Sequence, residues 1–242
     1  MKNKKLLKVN IKTSIWVIGD IHGKFNKLKK LLKEIPKGDT ICFVGDLIDR
    51  GEDSRKVIKL IKDKKYYCVK GNHEEVMIDS IKDNNMESFQ FWVRIGGYST
   101  IRNYIKIDKN HYRRPDILLE KVRLNKSIKS DVKWLSKLPI IIKFNFKKKK
   151  PLYVSHAGIK LFRNDSDIKK NNSENYILWN KYTQEKVGFA VNIHGHTIIS
   201  KEKMKISKSQ IDVDTGAFLN KKNGKGFLTA IQYPSLKTIH IK

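Results

Sequence analysis

Gly19-Asp20-Ile21-His22-Gly23, Gly45-Asp46-Leu47-Ile48-Asp49-Arg50-Gly51 and Gly71-Asn72-His73-Glu74 are the stretches that decide the fold. Each directly follows an apolar run: Ile15-Trp16-Val17-Ile18, Ile41-Cys42-Phe43-Val44 and Tyr66-Tyr67-Cys68-Val69. Asp20, Asp46 and Asn72 recur every 26 residues, the length of a strand, a loop, a helix and a return. If the runs are parallel strands, all three motifs reach one edge of one sheet, where they can jointly hold metal.

The intervening segments fit that reading. Phe25, Leu28, Leu31, Leu32 and Ile35 fall at helical spacing with lysines on the opposite face, and Pro36 and Gly38 end the helix. Val57, Ile58, Leu60 and Ile61 repeat the pattern over 53–62. The first 75 residues therefore read β-α-β-α-β, with right-handed crossovers. A third helix is expected after Glu74, through Val76, Met77, Ile78 and Ile81. Residues 84–137 lack strand-like runs but carry Phe89, Phe91, Trp92, a Gly96-Gly97 break and the amphipathic Asp131-Val132-Lys133-Trp134-Leu135. This predicts a mostly helical insertion over one end of the sheet.

From Ile140 the pattern returns to strands. Ile140 to Phe146 and Leu152 to Ser155 flank Lys147 to Lys150 as a hairpin. Phe189 to Ile193, Gln210 to Asp214, Gly226 to Tyr233 and Thr238 to Ile241 supply further strands. No repeat or linker-like stretch interrupts the chain, so one domain spanning 1–242 is expected.

Composition narrows the class. With 242 residues and 39% apolar content, the chain can bury one sizeable core and a small cap. Cys42 and Cys68 lie inside predicted strands and form no disulfide framework, which points to a reducing, cytoplasmic setting. No apolar run approaches a membrane span, and the basic N-terminus is followed by too short an apolar run for a signal peptide. The net charge is +28, but lysines are scattered along the chain and only Lys147 to Lys150 cluster. A dedicated binding face would concentrate its charge, so the lysine excess reads as compositional and nucleic acid is not the favoured partner.

Two more histidine motifs follow strands in the second half: Ser155-His156-Ala157-Gly158 and His194-Gly195-His196-Thr197. The candidate ligands are then Asp20, His22, Asp46, Asn72, His156 and His196. Six mixed oxygen and nitrogen ligands suit two divalent ions, with Asp46, on the middle motif strand, as the bridge. Two such ions, less Asp20, Asp46 and one hydroxide, leave a net positive site that attracts phosphate. Metals about 3.5–4 Å apart lower the pKa of the water between them and clamp phosphate oxygens for in-line attack. Imidazole with carboxylate points to Mn²⁺, Fe or Zn²⁺ rather than to Mg²⁺. His73, beside Asn72, is placed to face the leaving oxygen as general acid, with Asp49 orienting it. Arg50 offers a planar fork to the phosphate. His196 is preferred to His194 as the ligand, and His194 takes a structural place. His111 and His240 read as surface residues, the four tryptophans as packing, and Asp214-Thr215-Gly216 as a strand-end turn supporting the site. Each motif alone is weak; five in this order, each after an apolar strand, are specific.

Taken together, these motifs resemble the calcineurin-like metallophosphoesterases of the phosphoprotein phosphatase type, close to the lambda-type Ser/Thr phosphatases and their bacterial relatives. The resemblance also runs through Lys70-Gly71-Asn72-His73-Glu74, Gly96-Gly97, Leu138-Pro139-Ile140-Ile141, Leu178-Trp179-Asn180 and Asp214-Thr215-Gly216-Ala217. It implies a four-layer α/β (α+β) fold, a central β-sandwich flanked by helices with the dimetal site at the strand C-terminal ends. It implies Asp20, His22 and Asp46 on one metal, and Asp46, Asn72, His156 and His196 on the other. His73 with Asp49 would form the acid pair, and Arg50 and Asn72 would contact the phosphate. Lambda-type enzymes carry a second phosphate-clamping arginine after Leu-Trp-Asn; here Lys181 stands there, keeping the charge without the fork. Lys24, after His22-Gly23, is near enough to be weighed as an anion contact. The implied function is a two-metal Ser/Thr or dual-specificity protein phosphatase, monomeric, with manganese and a metal-activated hydroxide as nucleophile. The same motifs resemble diadenosine tetraphosphatases and other nucleotide phosphohydrolases. A non-catalytic phosphate- or RNA-binding module is the remaining alternative.

Overall fold

The computed structural model describes residues 6–82, 85–108, 114–181, 188–204, 206, 209–220 and 222–242. The expected β-α-β-α-β opening is present. It comprises β2 (Ile15–Ile18), α1 (Phe25–Glu34), β3 (Thr40–Phe43), α2 (Ser54–Lys64) and β4 (Tyr67–Cys68). β2 pairs parallel with β3 and β3 with β4, so β3 is the middle strand of the three. Alternation within the strands shows why all three are apolar throughout. Ile15, Val17, Cys42 and Val44 pack into one buried cluster, while Trp16, Ile18, Ile41 and Phe43 pack into another with Leu28 and Leu31 of α1 and Val57, Ile58 and Ile61 of α2. A strand covered on both faces has no polar side to show. α2 ends at Lys65, whose left-handed backbone donates to the carbonyls of Ile61 and Lys62.

Before β2 runs β1 (Leu6–Ile11), and α3 (Asn72–Lys82) follows β4. Then come α4 (Met86–Trp92), a π-type turn over Val93–Gly97, α5 (Tyr98–Ile101), α6 (Pro115–Leu124) and α7 (Lys126–Leu135). The helical insertion is thus present among the described residues, and it packs into the same cluster as α1 and α2 through Phe89, Trp92, Leu118, Val122, Ile128 and Leu135. The rest of the chain supplies β5 (Ile141–Phe146), β6 (Leu152–Ser155), α8 (Asp165–Asn171), α9 (Glu174–Trp179), β7 (Val191–His194), β8 (Gln210–Asp212), β9 (Leu228–Tyr233) and β10 (Thr238–Ile241).

Among the described residues two five-stranded sheets result, ordered β1-β5-β6-β7-β8 and β10-β9-β2-β3-β4. Their facing sides share Val17, Cys42, Val69, Phe144, Val154, Ile193 and Ile231. The outer side of the first sheet is covered by Ile159, Leu161, Ile168 and Ile177, the last two from α8 and α9. The four layers expected from the family resemblance are therefore observed, as a mixed α/β sandwich with helices on both outer faces. β5 and β6 pair antiparallel around the exposed Lys147–Lys150 turn.

Candidate active site

The motif strands end at one rim, and the loops leaving them turn sharply. His22, Asp46, Asp49, Arg50 and His196 have φ of 46°, 47°, 72°, 67° and 74°, five of the eight non-glycine residues in that region among those described. Left-handed backbone is costly for such residues and persists where the surroundings fix it, so its concentration here marks a site. Gly195 is required by close approach: a Cβ there would overlap Asp20 Oδ1, whose carboxylate accepts from the His196 N–H, 3.2 Å from Oδ2.

Asp46 lies at the centre. Its Oδ2 is 3.5 Å from His22 Nε2, and its Oδ1 is 3.5 Å from His156 Nε2. His196 Nδ1 stands 3.2 Å from His156 Nε2. The inward atom of the Asn72 amide is 2.7 Å from His156 Nε2 and 3.3 Å from His196 Nδ1 and both Asp46 oxygens. Two rings are fixed from behind: His22 Nδ1–H donates to the Ile48 carbonyl at 2.8 Å and His156 Nδ1–H to that of Val44 at 3.0 Å. Both then aim an Nε2 lone pair inward. Asp20, His22, Asp46, Asn72 and His156 are each at most 4% exposed.

Acceptors converging this closely in a buried place need a cation or a turned amide between them. Two groups of donor atoms lie within 4.8 Å of one another: His22, Asp46 and His73, and Asp20, Asp46 and His156. Both groups share Asp46. The nitrogen and oxygen donors, with no thiolate among them, fit divalent ions of borderline hardness.

Beside Asp46 is the expected acid pair. His73 Nδ1–H donates to Asp49 Oδ2 at 2.6 Å. The Asp49 carboxylate, fully buried, also accepts from Thr100 Oγ1 at 2.6 Å and from Trp92 Nε1 at 3.1 Å to each oxygen. Arg50 spans the site: its guanidinium donates to His22 Nε2 at 3.2 Å and to His73 Nε2 at 3.1 Å, and lies 4.3 Å from the Phe218 ring centre. Its backbone is set by Gly96, with φ of 120°, whose carbonyl accepts from the Arg50 N–H. A Cβ on Gly96 would sit 2.8 Å from Arg50 Cγ. Glu74 braces the motif loops, its carboxylate accepting from the N–H groups of Asp46, Leu47 and Gly71 at 2.8–2.9 Å.

The electrostatics suit a cation cradle. Burial, then the carboxylates of Asp214, Asp46 and Asp212, push Asp20 far above the usual carboxylate range. Burial also raises Asp214, to about 7. Burial and the Asp46 charge raise Glu74 to about 8, against the three N–H groups that favour its ionised form. Asp46 goes the other way: burial opposes its charge, but the imidazoles of His156, His73, His22 and His196 hold it low. Burial lowers His22 and His156, and lowers His196 to about 4. His73 is raised: burial is outweighed by Asp46 and by the bond and charge of Asp49.

The structure brings Asp20, His22, Asp46, Asp49, Arg50, Asn72, His73, His156 and His196 together. Lys181 is exposed, and its charge reaches the His196 ring. His194 points elsewhere: it is buried, its Nδ1 faces the Gly195 carbonyl, and its Nε2 has no partner among the described residues. Lys24 pairs with the exposed Glu52 at 3.0 Å. His240 is not a plain surface residue, being half-buried with Nδ1 2.8 Å from Thr229 Oγ1. His111 lies outside the described residues. The packing reading of Trp92 is incomplete, because its indole N–H bonds Asp49. Thr100 and Phe218 carried no motif signal; the Gly96-Gly97 pair was the one sequence mark of the segment that positions Arg50 and Trp92.

The family model for calcineurin-like phosphoesterases matches residues 13–222. This chain belongs to that family. It is therefore a hydrolase, of a family that uses a two-metal centre. Serine/threonine-protein phosphatase 1 of Salmonella typhimurium is 40% identical over 86 residues, which cover 34% of this chain and 38% of that protein. The bis(5'-nucleosyl)-tetraphosphatase PrpE [asymmetrical] of Anoxybacillus flavithermus is 26% identical over 258 residues, covering 93% of this chain and 92% of that protein. Among solved structures, one provisionally assigned as a diadenosine tetraphosphatase superposes with a TM-score of 0.66 at 20% identity, over 98% of this chain and 97% of that one. A protein serine/threonine phosphatase from Saccharomyces cerevisiae superposes with a TM-score of 0.58 at 14% identity, over 95% and 77%. These two likenesses speak to the fold.

Proposed function

We propose that two divalent ions would be held around Asp46 by Asp20, His22, Asn72, His156 and His196. The carrying observation is the Asp46 carboxylate set between the His22 and His156 lone pairs, 3.5 Å from each. Manganese is the ion proposed; iron and zinc suit the same donors. When bound, such ions supply Lewis-acid polarisation of the phosphate and an acidified water. The chain's own residues do the rest. Asp49 holds His73 by Nδ1, so that Nε2 carries the proton for the leaving oxygen. Arg50 donates to His22 and His73; phosphate oxygens offer the same fork better acceptors, and its move onto them frees His73 Nε2. Asn72 and Lys181 add phosphate contacts on the His196 side.

Phosphoserine and phosphothreonine proteins are the substrates proposed first, supported by the 40% identity with the Salmonella phosphatase. Nucleotide phosphohydrolysis is the second reading, and one observation favours it: the similarity to PrpE runs nearly end to end. We further propose a single-domain, monomeric, cytoplasmic enzyme. No helix among the described residues is long and apolar enough to cross a membrane, and the buried thiols of Cys42 and Cys68 are unpaired.

His73→Asn tests the division of roles. It should cut kcat about 10²–10⁴-fold while metal content stays near two per chain. Loss of metal together with activity would make His73 a ligand and overturn the assignment.

A further inference from the structure

Running outward from Arg50 is a groove of about 690 Å³, lined among others by Glu52, Asp53, Arg55, Lys56, Lys59 and Arg102. We propose that this groove binds the non-scissile phosphates of an oligophosphate ester, on the leaving-group side of the metal centre. The inference rests on the two-metal reading and develops the second, nucleotide reading of the substrate.

Five cationic side chains, Arg50 included, line the groove with two carboxylates. Both carboxylates are engaged, Glu52 by Lys24 at 3.0 Å and Asp53 by Lys56 at 2.6 Å, and Lys59 is paired with Asp63 at 2.6 Å, which leaves the arginines as the groove's distinctive cations. A net positive charge of 28 could place a basic patch anywhere, but the choice of cation argues otherwise. The chain has 44 lysines and eight arginines, and three of the eight arginines face this one groove. Lysine excess is the compositional background; clustered arginine stands out against it. Arginine's planar fork matches phosphate oxygens in a way that an ammonium does not.

Two of these guanidinium groups are held in place before any ligand arrives. Arg55 lies 5.2 Å from the Tyr104 ring centre and donates to Ser127 Oγ at 3.2 Å. Arg102 lies 5.0 Å from the Tyr98 ring centre. Stacked side chains lose less freedom on binding an anion. The groove also lies on the correct side for a leaving group, since Arg50 forms its inner end and contacts the proposed acid His73 at 3.1 Å. An anion held there is covalently close to the scissile phosphorus. A polyphosphate chain has charge at that position, whereas a phosphoserine peptide presents an uncharged side-chain carbon and backbone.

The test compares kcat/KM under Mn²⁺ for diadenosine tetraphosphate, a phosphoserine peptide and p-nitrophenyl phosphate. The wild-type protein should turn over diadenosine tetraphosphate as well as p-nitrophenyl phosphate. Arg55→Gln/Lys56→Gln should lower the ratio of kcat/KM for diadenosine tetraphosphate to that for p-nitrophenyl phosphate at least about tenfold, through KM. Lys59→Gln should lower the same ratio by a smaller factor, and Arg55→Lys should recover part of the loss. The loss should shrink as salt rises, because these charges are exposed. Lys148→Gln/Lys149→Gln, on the β5–β6 turn, controls for overall charge. An unchanged ratio in the groove variants, or an equal fall in the turn variant, overturns the proposal. So does an equal fall for the phosphoserine peptide, which would make the groove a surface for acidic peptides. Wild-type turnover of p-nitrophenyl phosphate without turnover of diadenosine tetraphosphate also overturns it, leaving the two-metal reading intact. Absence of metal-dependent p-nitrophenyl phosphate turnover defeats the two-metal reading itself.

Discussion

Replacing Asp49 by asparagine removes one charge and preserves shape, which isolates the orienting role assigned to this carboxylate. Asp49 faces only donors: His73 Nδ1–H at 2.6 Å, Thr100 Oγ1 at 2.6 Å and the Trp92 indole N–H at 3.1 Å. An asparagine has one acceptor oxygen to share among them. If that oxygen turns to Trp92 and Thr100, the amide nitrogen meets His73 Nδ1, which must then accept and give up its proton. The cationic form of His73 loses its anchor either way. The bond concerned is buried and charge-assisted, worth about 1.5–3 kcal/mol, so kcat should fall about 10- to 150-fold. The pH profile gives a second readout. His73 is raised, against burial, by Asp46 and Asp49; bound cations would neutralise Asp46, leaving Asp49 as the raising influence that persists. Activity that needs protonated His73 is present below its pKa and lost as pH rises through it. Removing Asp49 lowers that pKa, so the alkaline limb of kcat should move to lower pH. The assay is kcat against pH for phenyl phosphate and p-nitrophenyl phosphate, with metal content measured on the same samples. The loss should be larger for phenyl phosphate, whose leaving group needs the proton more. Equal losses on both substrates, an unmoved alkaline limb, or loss of metal would each refute the acid-pair reasoning.

Two further outcomes follow from the site geometry. His196→Ala should lose metal and activity, whereas His194→Ala should retain most of both, since His196 Nδ1 faces His156 Nε2 at 3.2 Å; metal analysis giving the reverse would make His194 the ligand. Lys181→Ala should raise KM and lower kcat/KM by no more than about 10- to 150-fold, the range for one charge-assisted bond, and kinetic silence on every phosphorylated substrate would remove it from the site.

Most of the fold could be read from periodicity. β2 and β3 are short but unbroken apolar runs and α1 is regularly amphipathic, so their boundaries fall close to where the pattern puts them. β1 was not legible. Its sequence Leu6-Leu7-Lys8-Val9-Asn10-Ile11 lies among lysines at the edge of a sheet, with one side open, and only its pairing with β5 makes it a strand. In the site, ligand-type residues announced themselves through glycine-flanked motifs after strands. What supports them did not. Trp92 and Thr100 come from the helical insertion, 43 and 51 residues away from the Asp49 they bond, and no local pattern encodes such a long-range contact. Phe218 is likewise placed by the turn after Asp214-Thr215-Gly216, and its face on Arg50 exists only in three dimensions. His240 looked like a surface residue because a short edge strand gives no sign of which side is covered.

The central claim is that two divalent ions sit around Asp46 and are needed for hydrolysis. Metal content and p-nitrophenyl phosphate turnover should be measured together on the purified protein, before chelation, after thorough chelation, and after titration with Mn²⁺. Activity should vanish with the metal and return as about two ions bind per chain. Turnover that survives complete metal removal would contradict the account.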